Sequence, residues 1–398
     1  MDFSAVVRAL LAPDGRRDPY PLYARLHRLG AAGPLDPALG YDVVVAGYAA
    51  ADRVLRDTTF RMLDAEHLDR GGTRWRSHPS LKTLQDSIFF TNGPDHARVR
   101  RLFGQAFTAR RMSALQPAIV RLTDRLLDRL AAAGSPADFL TEFALPLPSD
   151  VIGELLGVPD EDRPWFPPRV RTFGAILEIG RRSMREVLAA DKAAVELTEY
   201  FAGLLARRRA EPRDDLVSVL AGMGDQLTDT ELLANLITLF NAGFVTTTHL
   251  LGNGLVLLLA DRSRGADPGA FVEEVLRFEP PVHFGVRYAA ADAEIDGVPV
   301  AKGSTVLVLM GAANRDPARF PDPDRFDPTR PDNQHLAFSA GPHYCLGAAL
   351  SRLEGQLAFP RLLSRFPDLA IAGEPGVRNQ LMLRGYASLP VTVTARVS

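Results

Sequence analysis

Between Thr228 and Ala260 the chain reads TDTELLANLITLFNAGFVTTTHLLGNGLVLLLA, apolar on almost every side. Thr228 and Glu231 stand at the spacing of a capping box, so a helix is expected to begin there. At ~1.5 Å per residue it would span roughly 45–50 Å. A helix with no polar face must be covered all round, so it has to run through a core large enough to bury it. The chain can supply that core, with 398 residues of which 46% are hydrophobic. The most apolar run, Leu250 to Ala260, contains Asn253 and falls well short of the ~20 residues of a membrane span. A soluble protein is therefore expected. The middle of the helix is weak. Ala242-Gly243 and the β-branched Thr246, Thr247 and Thr248 lower helix propensity. The Thr246 hydroxyl can turn back to the Ala242 carbonyl and bend the helix. A long central helix with a polar midpoint predicts that something reactive lies against it.

The remaining pattern is also mainly helical. YPLYARLHRL reads as an amphipathic helix ended by Gly30, and Met112 to Ala133 as a longer one ended by Gly134. Ser183 to Ala210 ends in arginines before Pro212, which suits the negative end of a helix dipole. Strands are expected at YDVVVAG and through AEIDGVPVAKGSTVLVLMG, with hairpin turns at Gly297 and Gly303. Residues 316–332 are punctuated by proline and read as an ordered meander. GSPAD, EPRDD and DRSRGADPG are turns rather than linkers. The expected fold is mostly α with a minor β portion (α+β), a single domain over residues 1–398.

Composition excludes several classes. A formal net charge of -2 does not fit a nucleic-acid binder. The first twenty residues carry Asp14, Arg16, Arg17 and Asp18, too many charges for a signal peptide or membrane anchor. A single cysteine permits no internal disulfide, and a reducing cytoplasm is the natural setting.

That cysteine, Cys345, lies in AFSAGPHYCLGAALSR, between Gly341 and Gly347 and ahead of an apparent helix. Glycines allow close approach or a tight turn, and a helix N-terminus favours thiolate over thiol. One thiolate makes a poor zinc site, which wants four ligands. It is, however, one of the few ways to hold haem iron from one side.

Five stretches, in order along the chain, resemble the cytochrome P-450 superfamily of haem-thiolate monooxygenases. Phe338 to Gly347 resembles the haem-binding loop, with Cys345 as iron ligand and His343 and Phe338 close by. His96 and Arg100 resemble the pair that holds a haem propionate, and Arg287 the arginine of the second propionate. Glu274 and Arg277 resemble the family's Glu-x-x-Arg pair, and Arg325 the meander arginine completing that network. The resemblance covers nearly the whole chain. It implies a haem b between the central helix, at Ala242, and the cysteine-bearing loop. It also implies two electrons drawn indirectly from NAD(P)H through a ferredoxin reductase and a ferredoxin, in a monomer acting on a small molecule.

One departure stands out. The family usually places an acid just before the helix threonine, where acid and alcohol deliver protons to the reacting oxygen. Here Val245 stands before Thr246, and valine relays no proton. Asn241 and His249 lie four residues either side of Val245 on one stripe. His249, titrating near neutrality, could stand in. Alternatively, substrate hydroxyls and water carry the protons, or the enzyme performs oxidative coupling or desaturation without oxygen insertion. By analogy the substrate pocket draws on Phe89, Phe90, Phe173, Ile176 and Phe240. Phe244, Val282, Phe284, Leu381 and Met382 would complete it. Such a lining suits a bulky apolar metabolite, polyketide, macrolide, terpenoid or peptide-derived, possibly tethered to a carrier, as in antibiotic tailoring. Two readings from other classes stand beside this one: a cysteine hydrolase pairing Cys345 with His343, and a non-catalytic haem sensor.

Overall fold

The computed structural model describes residues 2–72, 74–178, 182–261 and 267–393, so most of the turn expected in DRSRGADPG lies outside the described residues. The chain divides into two compact units, each gathered from three stretches of sequence. One comprises Met1–Leu63, His249–Cys345 and Pro375–Ser388; the other comprises Asp64–Thr248, Leu346–Glu374 and Leu389–Ser398.

The first unit carries a five-stranded sheet in the order Ala32–Pro34, Val43–Val45, Thr305–Val308, Gly285–Ala289, Phe60–Arg61. Val43–Val45 runs parallel to Thr305–Val308, and the other pairings are antiparallel. All three valines of the YDVVVAG stretch are buried, as strands covered on both faces require. The helix Tyr48–Arg56 packs Ala51 and Val54 into the same core. The expected hairpin forms from Ala293–Ile295 and Val298–Val300. Asp296 and Gly297 at its tip both have positive φ, 51° and 79°, the requirement of a two-residue type I′ turn.

The second unit is helical. Its three-stranded sheet, Ala137–Asp138, Pro390–Thr392 and Ala370–Ile371, is small. Met184–Ala210 begins with a full capping box between Ser183 and Glu186. The single helix expected from Met112 to Ala133 is instead two, Ala109–Ala114 and Gln116–Ala132. Pro117 explains the break: it has no N–H to continue the hydrogen-bond ladder of the preceding helix and suits the first turn of a new one.

The central helix is Asp229–Asp261. Its capping box is present, with Thr228 N–H donating to Glu231 Oε2 at 2.9 Å and Glu231 N–H to Thr228 Oγ1 at 3.2 Å. By length and composition this helix could cross a membrane, but 67% of its apolar window is buried within the structure.

Candidate active site

The cysteine loop is built from backbone hydrogen bonds. Ser339 N–H donates to Leu336 O at 2.9 Å, Tyr344 N–H to Gly341 O at 3.1 Å, and Cys345 N–H to Phe338 O at 2.9 Å. Two residues of the loop take left-handed backbone, Ser339 at φ 61° and Gly341 at φ 67°. A Cβ at Gly341 would lie 2.6 Å from the Leu55 carbonyl oxygen and the Arg56 Cα. Gly341 is thus needed to seat the loop on the end of the Tyr48–Arg56 helix. Gly347 serves differently: it caps the helix Ala348–Arg365, and a Cβ there would meet nothing within 4 Å. Cys345 is therefore two residues ahead of the cap, outside the helix, and partly exposed. Phe338 is buried, its ring 5.8 Å from His335 and 6.3 Å from Tyr344. His343 closes the single 3-10 turn Gly341–His343 and is half-buried.

Arg287, His96 and Arg100 were expected to meet carboxylates. Arg287 is buried, and burial alone pushes its guanidinium down to about 10. Among the described residues no carboxylate offsets that burial; one hydrogen bond runs to the neighbouring Val286 carbonyl at 3.0 Å. A buried cation left in that state is costly unless something anionic is supplied from outside the chain. His96 and Arg100 share one face of the helix Gly93–Ala106. Burial first, then the Arg100 charge, pushes His96 down to about 4. Among the described residues no cluster of three metal-ligating side chains exists. One thiol and, among the described residues, a buried arginine without an acid, both in the first unit, fit a group that needs a single thiolate and brings its own carboxylates. Haem is such a group.

The midpoint of the central helix is accessible where its surroundings are not. Ala242 is exposed and Gly243 and Thr246 are part-exposed, while Asn241, Phe244, Val245, Thr247, Thr248 and His249 are buried. Thr246 Oγ1 donates to Ala242 O at 2.6 Å, as expected. The helix stays continuous through this point. Open positions 242 and 246 form one stripe; 241, 245 and 249 form the neighbouring, packed one.

That geometry corrects the proton-relay expectation. A Cβ at Gly174 would lie 2.5 Å from Asn241 Oδ1, so Asn241 packs on that backbone. His249 packs likewise on Gly385, 2.3 Å from such a Cβ to its Nδ1. Burial first and then Arg378 push His249 down to about 3. It is neutral across the physiological range and does not titrate near pH 7. A group missed in the sequence lies on the helix after the cysteine. Glu354 is buried, and burial raises its carboxyl well above the usual range. Its Oε2 has no partner among the described residues. One turn earlier on that helix, Ser351 meets Thr247, Oγ to Oγ1, at 3.3 Å. The acid was visible in LSRLEGQLAF, but with Ser351, Arg352 and Gln356 beside it nothing in that pattern marked it as buried.

The Glu–Arg pair forms an ion pair, but its third member is not the expected Arg325. Glu274 and Arg277, both fully buried, make a bidentate pair at 2.7 and 2.8 Å. The meander arginine on Glu274 is Arg330, Nε to Oε1 at 3.1 Å and 9% exposed. Arg325 points outward, its side chain 70% exposed, and contributes only its carbonyl, which accepts from Arg277 and Arg330. DPTRP offered this second arginine, yet spacing alone cannot say which meander arginine turns inward.

The proposed pocket residues separate by exposure. Phe89, Phe90, Val282 and Met382 keep accessible surface. Val282 bridges Leu383, and His283 N–H donates to Met382 O at 3.0 Å, which brings those two segments together. Phe173, Phe240, Phe244 and Leu381 are completely buried, Phe284 and Ile176 nearly so. Phe240 stacks on Phe166 at 4.4 Å and 13°. It is a packing residue of the helical unit and lines no open space.

The chain is similar to proteins already known. A family profile described as cytochrome P-450 matches residues 269–378. The chain is 45% identical over 316 residues to cytochrome P-450 107B1 of Saccharopolyspora erythraea, covering 76% of each chain. It is 37% identical to 6-deoxyerythronolide B hydroxylase of the same organism, across 94% of this chain and 96% of that protein. Among solved structures, P-450 BioI in complex with a hexadec-9Z-enoic acid ligated acyl carrier protein superposes with a TM-score of 0.89. Its sequence is 34% identical, across 96% of this chain and all of that one.

Proposed function

The chain belongs to the cytochrome P-450 family, and from that premise we propose that it hydroxylates or epoxidises a bulky, mostly apolar metabolite in bacterial secondary metabolism. The observation that carries the reading is Arg287, a buried guanidinium without a carboxylate among the described residues, in the unit that also holds the only cysteine. Bound haem b would supply the activation of O₂, with electrons from NAD(P)H through a ferredoxin reductase and a ferredoxin. Cys345 would be its thiolate ligand, Arg287, His96 and Arg100 would hold the propionates, and His343, Phe338, Gly347 and Ala242 would lie along its faces. Thr246 presents its hydroxyl on the accessible stripe of the central helix and orients water or substrate there.

Substrate contact is assigned to the side chains that keep open surface, Phe89, Phe90, Val282 and Met382. A relative named as a 6-deoxyerythronolide B hydroxylase supports a macrolide- or polyketide-like substrate. A neighbour bound to a loaded acyl carrier protein supports a carrier-tethered one. The protein would act as a cytoplasmic monomer.

An optical titration of the purified ferric protein tests this. Macrolides, polyketide chains, terpenoids and cyclic peptides form the panel, and the low- to high-spin shift is the readout. A saturable shift with one chemical class is expected. A protein that takes up no haem, or a Cys345→Ser variant with an unchanged spectrum, would overturn the reading.

A second reading rests on Val245. With an apolar residue beside Thr246 and a neutral His249, oxidative coupling or desaturation is the alternative outcome. Label from ¹⁸O₂ absent from the product would favour it.

A further inference from the structure

The segment from His78 to Phe90 is held at both ends by side chains from distant helices. At its start, the helix Pro79–Gln85 has no side-chain cap of its own. Asp191, on Met184–Ala210, supplies one from outside. Its Oδ1 accepts from Ser80 N–H at 3.1 Å and Ser80 Oγ at 2.6 Å, and its Oδ2 meets His78 Nδ1 at 2.8 Å. At the far end, Asn235 on the central helix is fully buried, and its Oδ1 accepts from Ile88 N–H at 2.9 Å. Its own amide is fixed in turn, Nδ2 donating to Glu231 O at 2.7 Å. Ile88 immediately precedes Phe89 and Phe90, whose rings meet edge-on at 5.1 Å and 68°. Phe89 is 37% exposed.

A free first-turn N–H and an isolated loop N–H are the two donors such a segment cannot satisfy locally. Burying both acceptors on separate helices fixes where the two phenylalanines stand. We propose that Asp191 and Asn235 are positioning residues that set the Phe89–Phe90 edge of the substrate site, and so determine which bulky ligands fit. The inference rests on the reading above that these rings face substrate.

The test uses haem-loaded protein and two probes read optically in the ferric state, imidazole and a bulky azole, clotrimazole. Asn235→Leu should weaken clotrimazole roughly three- to tenfold, the worth of one lost buried hydrogen bond, and Asp191→Leu, which loses three contacts, at least as much. Imidazole affinity should stay within about twofold. Asn235→Asp and Asp191→Asn keep an acceptor at each site and should restore clotrimazole binding. Hydrogen exchange gives a readout independent of haem: protection at Ile88 should drop in Asn235→Leu and return in Asn235→Asp. If both probes weaken equally, if neither does, or if the conservative variants fail to rescue, the positioning role is overturned. If the unaltered protein binds no imidazole, the haem reading itself has failed.

Discussion

Ser339 shows how much a single backbone position can carry. Its φ of 61° lies in the left-handed region, and its hydroxyl is buried without a partner among the described residues. A residue with a Cβ pays about 1–2 kcal/mol for that conformation, and an unpaired buried hydroxyl adds to it. Glycine would remove both terms, less about 0.5–1 kcal/mol of extra unfolded-chain entropy. Ser339→Gly is therefore expected to stabilise the protein by about 1 kcal/mol, read as a raised urea midpoint with an unchanged m-value. The sequence shows a serine here but nothing of its positive φ. Dihedral angles are set by the whole loop, by Cys345 N–H reaching Phe338 O and Gly341 pressed on Leu55.

At the scale of the element, the meander 316–332 is organised from a helix that precedes it. Glu274 accepts from Arg277, Arg330, Asn333 Nδ2 and the Asp327 N–H. Arg330 also donates to the carbonyls of Pro321, Asp322 and Arg325. Breaking a buried pair by removing one partner costs about 3–5 kcal/mol, whereas exposed substitutions usually stay within about 0.5 kcal/mol. Arg330→Ala should therefore lose several kcal/mol in urea unfolding while Arg325→Ala changes little. Equal effects would restore Arg325 to the network. The helices were legible here because caps and apolar periodicity are local: Thr228 with Glu231 marks the start of the central helix directly, and the arginines before Pro212 mark the end of Met184–Ala210. Arg325 and Arg330 were not distinguishable, because both sit in proline-punctuated chain with no periodicity to give a face. The same limit explains the pocket: aromatic residues in the right segments include both Phe89, which is open, and Phe240, stacked on Phe166.

Over the whole molecule, buried histidines set an acid limit. Burial first, then Arg378, holds His249 at about 3, and burial with Arg384 and Arg315 holds His283 well below its ordinary value. Tyr23 Oη meets His283 Nδ1 at 2.9 Å. Each ring takes a proton in the unfolded chain near pH 6.5 but in the folded one only far lower, so acid favours unfolding. Stability should fall by about 1.4 kcal/mol per pH unit for each ring, roughly 3 for both, between about pH 6 and 4. Urea unfolding at pH 7, 6, 5 and 4 reads this slope, and His249→Gln should lower it by about 1.4 kcal/mol per pH unit. A slope unchanged by that variant would refute the assignment. The overall class, mostly helical with a small sheet, was legible from one apolar helix and a few valine-rich runs. The division into two units was not, because each is drawn from stretches remote in sequence.

The parallel pairing of Val43–Val45 with Thr305–Val308 carries one more consequence. Asp42 and Thr305, joined at the edge of that pairing, are 263 residues apart. Ribosomes add roughly 5–20 residues per second, so the first partner waits on the order of ten to fifty seconds for its second. Throughout that interval three valines, with Ala32–Pro34 on one side only, offer an unpaired strand edge to whatever else is nearby. For this chain the hazardous moment is thus biosynthesis itself, and yield in a producing cell should respond to translation speed and chaperone supply before it responds to the stability of the finished fold.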